Sequence, residues 1–165
     1  MGINFRRPQP RPATSHPLED LTFVDGAIRL CRKGQAPVEY LMISGLQVLA
    51  KKSLLELQDG RCEYRFELNG ITDSTWRTFF AKLLPAGLSV RFEPRILVLT
   101  CPPAELESRY NQVKSALWGA NDWYAEERED LIRKVTELDD ARQAAAEMEE
   151  NRKAGLRRQF ECLDL

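Results

Sequence analysis

A phase argument constrains this chain more than any motif in it. Counting about 100° per residue from Leu117, the side chains of Leu106, Tyr110, Val113, Ala120, Tyr124, Leu131, Val135 and Leu138 all point within roughly 60° of it. The stripe runs through SALWGANDWYAEER, residues 115–128, where a glycine and an Asn-Asp pair would suit a turn. A turn resets the angle at which apolar side chains point, and here the angle is kept. The sequence therefore predicts one helix from about Pro103 to at least Leu138. Gly119 costs about 1 kcal/mol relative to alanine in a helix interior, which a few buried neighbours outweigh, and it marks a place where the helix could kink. Trp118 and Trp123, at about +100° and −120°, are expected to widen the buried face on either side.

Past Leu138 the large apolar residues stop, but ELDDARQAAAEMEENRKAG keeps excellent helix propensity. Followed in sevens, Tyr110, Leu117, Tyr124, Leu131, Leu138 and Ala145 repeat without a break. The companion series Leu106, Val113, Ala120, Glu127, Lys134, Ala141 and Met148 is spoiled in its middle. A coiled coil wants both series apolar, so this one is degraded and suits a helical hairpin, a short dimer seam or docking on another protein. The tail LRRQFECLDL adds Leu156, Phe160 and Leu163 with basic neighbours. Tyr124, Leu131, Leu138, Ala145, Met148, Leu156 and Phe160 are accordingly the candidate partner-binding residues.

Upstream, residues 1–20 hold four of the nine prolines and no acid before Glu19, and read as a flexible Pro/Arg-rich tail. Residues 21–103 read as an α+β domain. Asp25-Gly26 between short apolar runs signals a hairpin, as does Asp59-Gly60, which sets Leu55 and Leu57 against the alternating Cys62, Tyr64, Phe66 and Leu68. Residues 36–57 fit helix or strands equally. In ITDSTWRTFFAKLLP, Thr72 is expected to cap a helix, Ile71 to staple onto Trp76, and Pro85 to mark the exit. Trp76, Phe79, Phe80, Leu83 and Leu84 make one apolar face. Two strands, LSVRF and RILVLTC, precede the long helix. The expected fold is a small antiparallel sheet with hairpins, covered by an amphipathic helix, plus the long C-terminal helical arm of residues 104–165.

With 165 residues, 43% of them hydrophobic, the chain can bury a real core. It has neither an 18-residue apolar run nor an apolar leader, so no membrane partner and a cytoplasmic location are expected. Its Met-Gly start lacks the Ser or Thr of a myristoylation signal, Arg6 standing there instead. The four cysteines, at 31, 62, 101 and 162, form no CxxC pair and read as buried or incidental thiols. Net charge is −1, but residues 104–165 carry −5 and residues 1–103 carry +4. Neither part has the cationic density of a dedicated nucleic-acid binder.

Histidine-dependent catalysis has only His16 to draw on, and no phosphate-cradling glycine loop is present. Glu126, Glu127, Glu129 and Asp130 stand among arginines and read as solvated helix charges. Asp139 and Asp140 diverge as helical neighbours and cannot converge on one ion. Arg7 and Arg11 form an RxxxR pair ahead of Ser44, which resembles the cyclic-dinucleotide-binding PilZ domain. Met42 stands where that family has aspartate and Gln47 where it has glycine, and the likeness covers neither helix. The sequence therefore points to a non-catalytic interaction module without cofactor, an adaptor, assembly subunit or chaperone-like binder, working on a protein partner or a second copy through its arm. The alternatives are a small-ligand or nucleotide sensor using Arg7 and Arg11, and a weak RNA contact.

Overall fold

A computed structural model describes residues 9–12, 21–24, 27–30, 34, 38–40 and 45–164. Among the described residues, seven strands form two antiparallel sheets. Strands β1 (Leu21–Val24), β2 (Ala27–Leu30) and β3 (Val38–Tyr40) make the first, in that order. Strands β4 (Val48–Glu56), β5 (Cys62–Leu68), β6 (Ser89–Glu93) and β7 (Ile96–Cys101) make the second, in the order β4-β5-β7-β6. Helix α1 (Ser74–Leu83) links β5 to β6. A 3-10 turn, Pro103–Glu105, leads from β7 into α2 (Leu106–Glu161), a helix of 56 residues, about 84 Å long. The expected class holds: α+β with a long helical arm. The ambiguous residues 36–57 supply strands, and the strands divide between two sheets where one was expected.

The alternation in β5 sends Cys62, Phe66 and Leu68 into the core, while Glu63, Arg65 and Glu67 face outward, half-buried. Leu97 and Leu99 of β7 continue that inner face, and α1 closes over it with Trp76, Phe79 and Phe80. Full burial of each such side chain contributes about 1.5–3 kcal/mol. The ring of Trp76 stacks on Phe80, centroids 5.2 Å apart, and meets Phe92 edge-on at 5.5 Å. On the outer face Val98 is fully buried although it faces away from the helices. Its register partners are Arg65 and Arg91, whose charged ends pair with Glu93 and Glu63.

Three local expectations are corrected. Asp73, not Thr72, caps α1: its Oδ1 accepts from the Trp76 amide at 2.8 Å. Ile71 is 58% exposed and staples nothing onto Trp76. Leu55 is exposed and Leu57 only half-buried. The physical reason for the last is position, since β4 is an edge strand whose residues after Val48 are all exposed. The Asp25-Gly26 turn itself lies outside the described residues, though Val24 pairs with Ala27 across it.

Helix α2 runs through Gly119 unbroken, as the phase argument requires. Of its buried residues, Val113, Leu117, Ala120, Tyr124, Leu131 and Val135 follow the stripe, Ala116, Trp123 and Glu127 widen it on one side, and Tyr110 stacks on Phe66 at 4.9 Å. The two tryptophans part company. Trp123 is buried edge-on against Phe79, whereas Trp118 is 59% exposed beneath the Lys114 ammonium. Gly119 has a packing reason: a Cβ there would stand 2.8 Å from Cδ1 of Leu83, at the end of α1. Alanine at this position gains about 1 kcal/mol of helix propensity, which a shift of the half-buried Leu83 side chain largely offsets. Gly119→Ala is therefore expected to leave stability within about 1 kcal/mol, and Gly119→Leu to lower it by about 1–3 kcal/mol by forcing the helices apart. Urea denaturation midpoints check both, and a fully stable Gly119→Leu would contradict the close approach.

Candidate functional site

Two parts of α2 carry the polar and apolar groups that could act on something else: its middle, where it meets α1, and its distal section. In the middle, Asn121 works as a pin. Its Oδ1 accepts from the Leu46 amide at 3.0 Å and from Trp76 Nε1 at 2.9 Å, while its Nδ2 donates to the Leu46 carbonyl at 2.9 Å. Asn69 holds the same loop from the other side, Oδ1 accepting from the Gln47 amide and Nδ2 donating to the Gly45 carbonyl. Leu46, between them, is 1% exposed. Tyr124, one turn on, donates its hydroxyl to Oδ2 of Asp73, so the carboxylate that caps α1 also ties it to α2.

A cleft of about 320 Å³ opens beside this cluster, lined by Gly45, Asn121, Tyr124, Arg128, Glu129 and Ile132 among others. The Asn121 amide and the Tyr124 hydroxyl are already engaged inside the protein.

On the same helix Glu127, read from the sequence as a solvated charge, is 5% exposed. Its partner comes from the N-terminal segment. Arg11 places Nε 3.3 Å from Glu127 Oε2, donates from Nη2 to Asp130 Oδ2 at 2.6 Å, and sets Nη1 3.9 Å from Glu126. A buried carboxylate without such a partner would be costly, so the pairing explains why a glutamate is tolerated beside the stripe. The Arg11 guanidinium, seconded by Arg133, holds the Asp130 carboxyl below the usual aspartate range. Within the segment expected to be a flexible tail, Arg11 is thus docked on the arm. Arg7 and His16 lie outside the described residues.

The cysteines show a juxtaposition that spacing could not reveal. Cys62 and Cys101 are register partners across β5 and β7, both buried and free, and burial pushes the Cys101 thiol up, away from the reactive thiolate. Cys162 is exposed near the end of the arm. Among the described residues no three His, Cys, Asp or Glu side chains gather as a metal-binding group. No helix there is long and apolar enough to cross a membrane.

The partner-binding series divides at Leu138. Tyr124 and Leu131, 2% and 6% exposed, are packed inside the body, and Leu138 is half-buried at its edge. From Asp139 to Glu161 the helix continues for roughly 35 Å, every residue exposed except the half-buried Ala154 and Gly155. Met148, Leu156 and Phe160 stand 73%, 52% and 77% exposed, and Ala145 lies open between them and the body. Comparison with known proteins finds no matching family model, no matching curated protein and no matching solved structure.

Two outcomes follow. Asn121→Ala strands the Trp76 indole N–H and both backbone groups of Leu46, so it is expected to cost about 3 kcal/mol, against less than about 0.5 for the exposed neighbour Asp122→Ala; equal denaturation midpoints would contradict the pin. For Asp130 the sign is set by a depressed folded pKa. Its contribution is complete above the ordinary aspartate value of about 3.9 and is lost as pH falls through the lower folded value. The stability gap between the parent chain and Asp130→Asn should therefore be present at neutral pH and close in strong acid, and a gap that persists there would contradict the Arg11 pairing.

Proposed function

We propose that this chain is a non-catalytic protein-interaction module, an adaptor, assembly subunit or chaperone-like binder, whose working surface is the distal section of α2. The observation that supports this reading most is the exposure of Met148, Leu156 and Phe160 on a helix that has left its own body. A helix of this kind gains little from its own fold, because an isolated helical segment is only marginally stable in water and buries nothing. Large apolar side chains on it acquire a partner only from another surface. The first half of the helix differs: its stripe is used up in the core, which makes the body a rigid mount for the second half.

The sensor alternative has less support, because Arg11 is committed to Asp130 and Glu127. A weak RNA contact through the basic body has less again. The arginines on the outer face of the larger sheet are neutralised locally, Arg91 by Glu63 at 2.8 Å and Arg65 by Glu93, so little free positive field remains there.

Truncation after Leu138 tests the proposal. The shortened chain should keep its melting temperature within about 2 °C, since it loses almost no buried surface, while losing its partner or its oligomeric state. Circular dichroism and sedimentation measure the two halves of that statement. A truncated chain with unchanged assembly would overturn the reading, and one that unfolds would move the distal helix into the core.

A further inference from the structure

The distal arm is polar in a second sense. Asp139, Asp140, Glu147, Glu149 and Glu150 crowd its first half against the single Arg142, whereas Arg152, Lys153, Arg157 and Arg158 dominate its second half against Glu161 and Asp164. Asp139, Glu147 and Glu149 have intrahelical partners, Arg142 at 3.7 Å, Gln143 at 3.3 Å and Arg152 at 2.7 Å, and both blocks are exposed to solvent. Two arms laid parallel would set acid on acid and base on base. Laid antiparallel, each acidic half meets a basic half.

The apolar residues share one line. Leu138, Ala141, Ala145, Met148, Leu156 and Phe160 fall within roughly 60° of a common direction, about 80° round the helix from Leu117. Leu138 and Ala145, with Ala141 and Met148, keep the heptad spacing of the body's stripe and so drift about 20° per heptad, while Leu156 and Phe160 step out of the heptad and return to the same side of the helix. Alanines in the acidic half give the larger Leu156 and Phe160 of a facing basic half a shallow surface to cover.

On the reading of the arm as an interaction surface, we infer that its occupant is a second copy of this chain, paired antiparallel about a point near residue 150 where the charge changes sign. The free section, Asp139–Glu161, is nearly symmetric about that point. Full overlap therefore brings each tip just short of the other body, with the two bodies at opposite ends and no steric conflict between them.

Reversal of charge on exposed positions tests orientation without touching the core. Asp139→Lys, Asp140→Lys and Glu147→Lys together, or Lys153→Glu, Arg157→Glu and Arg158→Glu together, should each weaken the dimer at least about tenfold in sedimentation equilibrium of the full chain. All six changes together restore complementarity and should bring the dissociation constant back to within about threefold of the parent. Circular dichroism of each variant confirms that the body is folded. Cys162 supplies an independent readout, tested in a Cys31→Ser background. Antiparallel pairing holds the two Cys162 residues roughly 36 Å apart, far beyond the ~5.5 Å Cα separation of a disulfide, whereas parallel pairing brings them together. Oxidation should give no Cys162-linked dimer. A monomer at all concentrations, an insensitive dimer, failure of the sixfold variant to recover, or ready Cys162 cross-linking each overturns the inference. Loss of assembly on truncation after Leu138 would still uphold the arm as the interaction surface, so the two proposals fail separately.

Discussion

The close contact of α1 with α2 is the constraint on which the rest of the structure depends. Leu83 sits where a side chain on residue 119 would have to go, so the two helices meet at a distance that only glycine permits without displacement. With the helices packed together here, Asn121 reaches both the Trp76 indole and the backbone of Leu46, and Tyr124 reaches the cap of α1. One helix face thereby fastens a second helix and the loop that feeds the first strand of the larger sheet. Those hydrogen bonds lie in a partly dry seam, where a satisfied polar group fixes geometry and an unsatisfied one is expensive.

That seam also explains how a single helix holds two environments. Apolar contact with α1 and the sheet secures α2 as far as Val135, and nothing from the described body reaches past Leu138. The distal section then depends on alanine-rich propensity and short-range ion pairs such as Arg152 with Glu149. These favour a helix without fixing it on anything. A segment so built is cheap to present and free to pair, which is the physical basis for placing the interaction there.

Much of this was legible in the sequence, and what was not has identifiable causes. Helical phase carried α2 through Gly119, and period-two alternation marked β5, because both are local properties. Asn121 could have been found, since it lies about 40° from the centre of the stripe, a polar residue where an apolar one belongs. Its partners could not, for Leu46 and Trp76 are distant in sequence. Arg11 with Glu127 and Cys62 with Cys101 were hidden for the same reason. The choice of Asp73 over Thr72 as the cap turned on a second demand, the Tyr124 hydroxyl, which only a carboxylate's two oxygens can meet together with the Trp76 amide. In the candidate site, heptad counting grouped Tyr124 and Leu131 with the distal residues because it follows one line along the helix, and it cannot see where the body that covers that line ends.

Amide hydrogen exchange along α2, measured at several protein concentrations, tests most directly whether one helix serves a packed and a free role. The expected pattern is slow exchange from Val113 to Val135 at every dilution, unbroken across Gly119, with rapid exchange beyond Leu138 at low concentration that slows as concentration rises. Strong protection of the distal section at the lowest concentration would show that it packs on its own body, and a sharp loss of protection at Gly119 would show two helices where the structure has one.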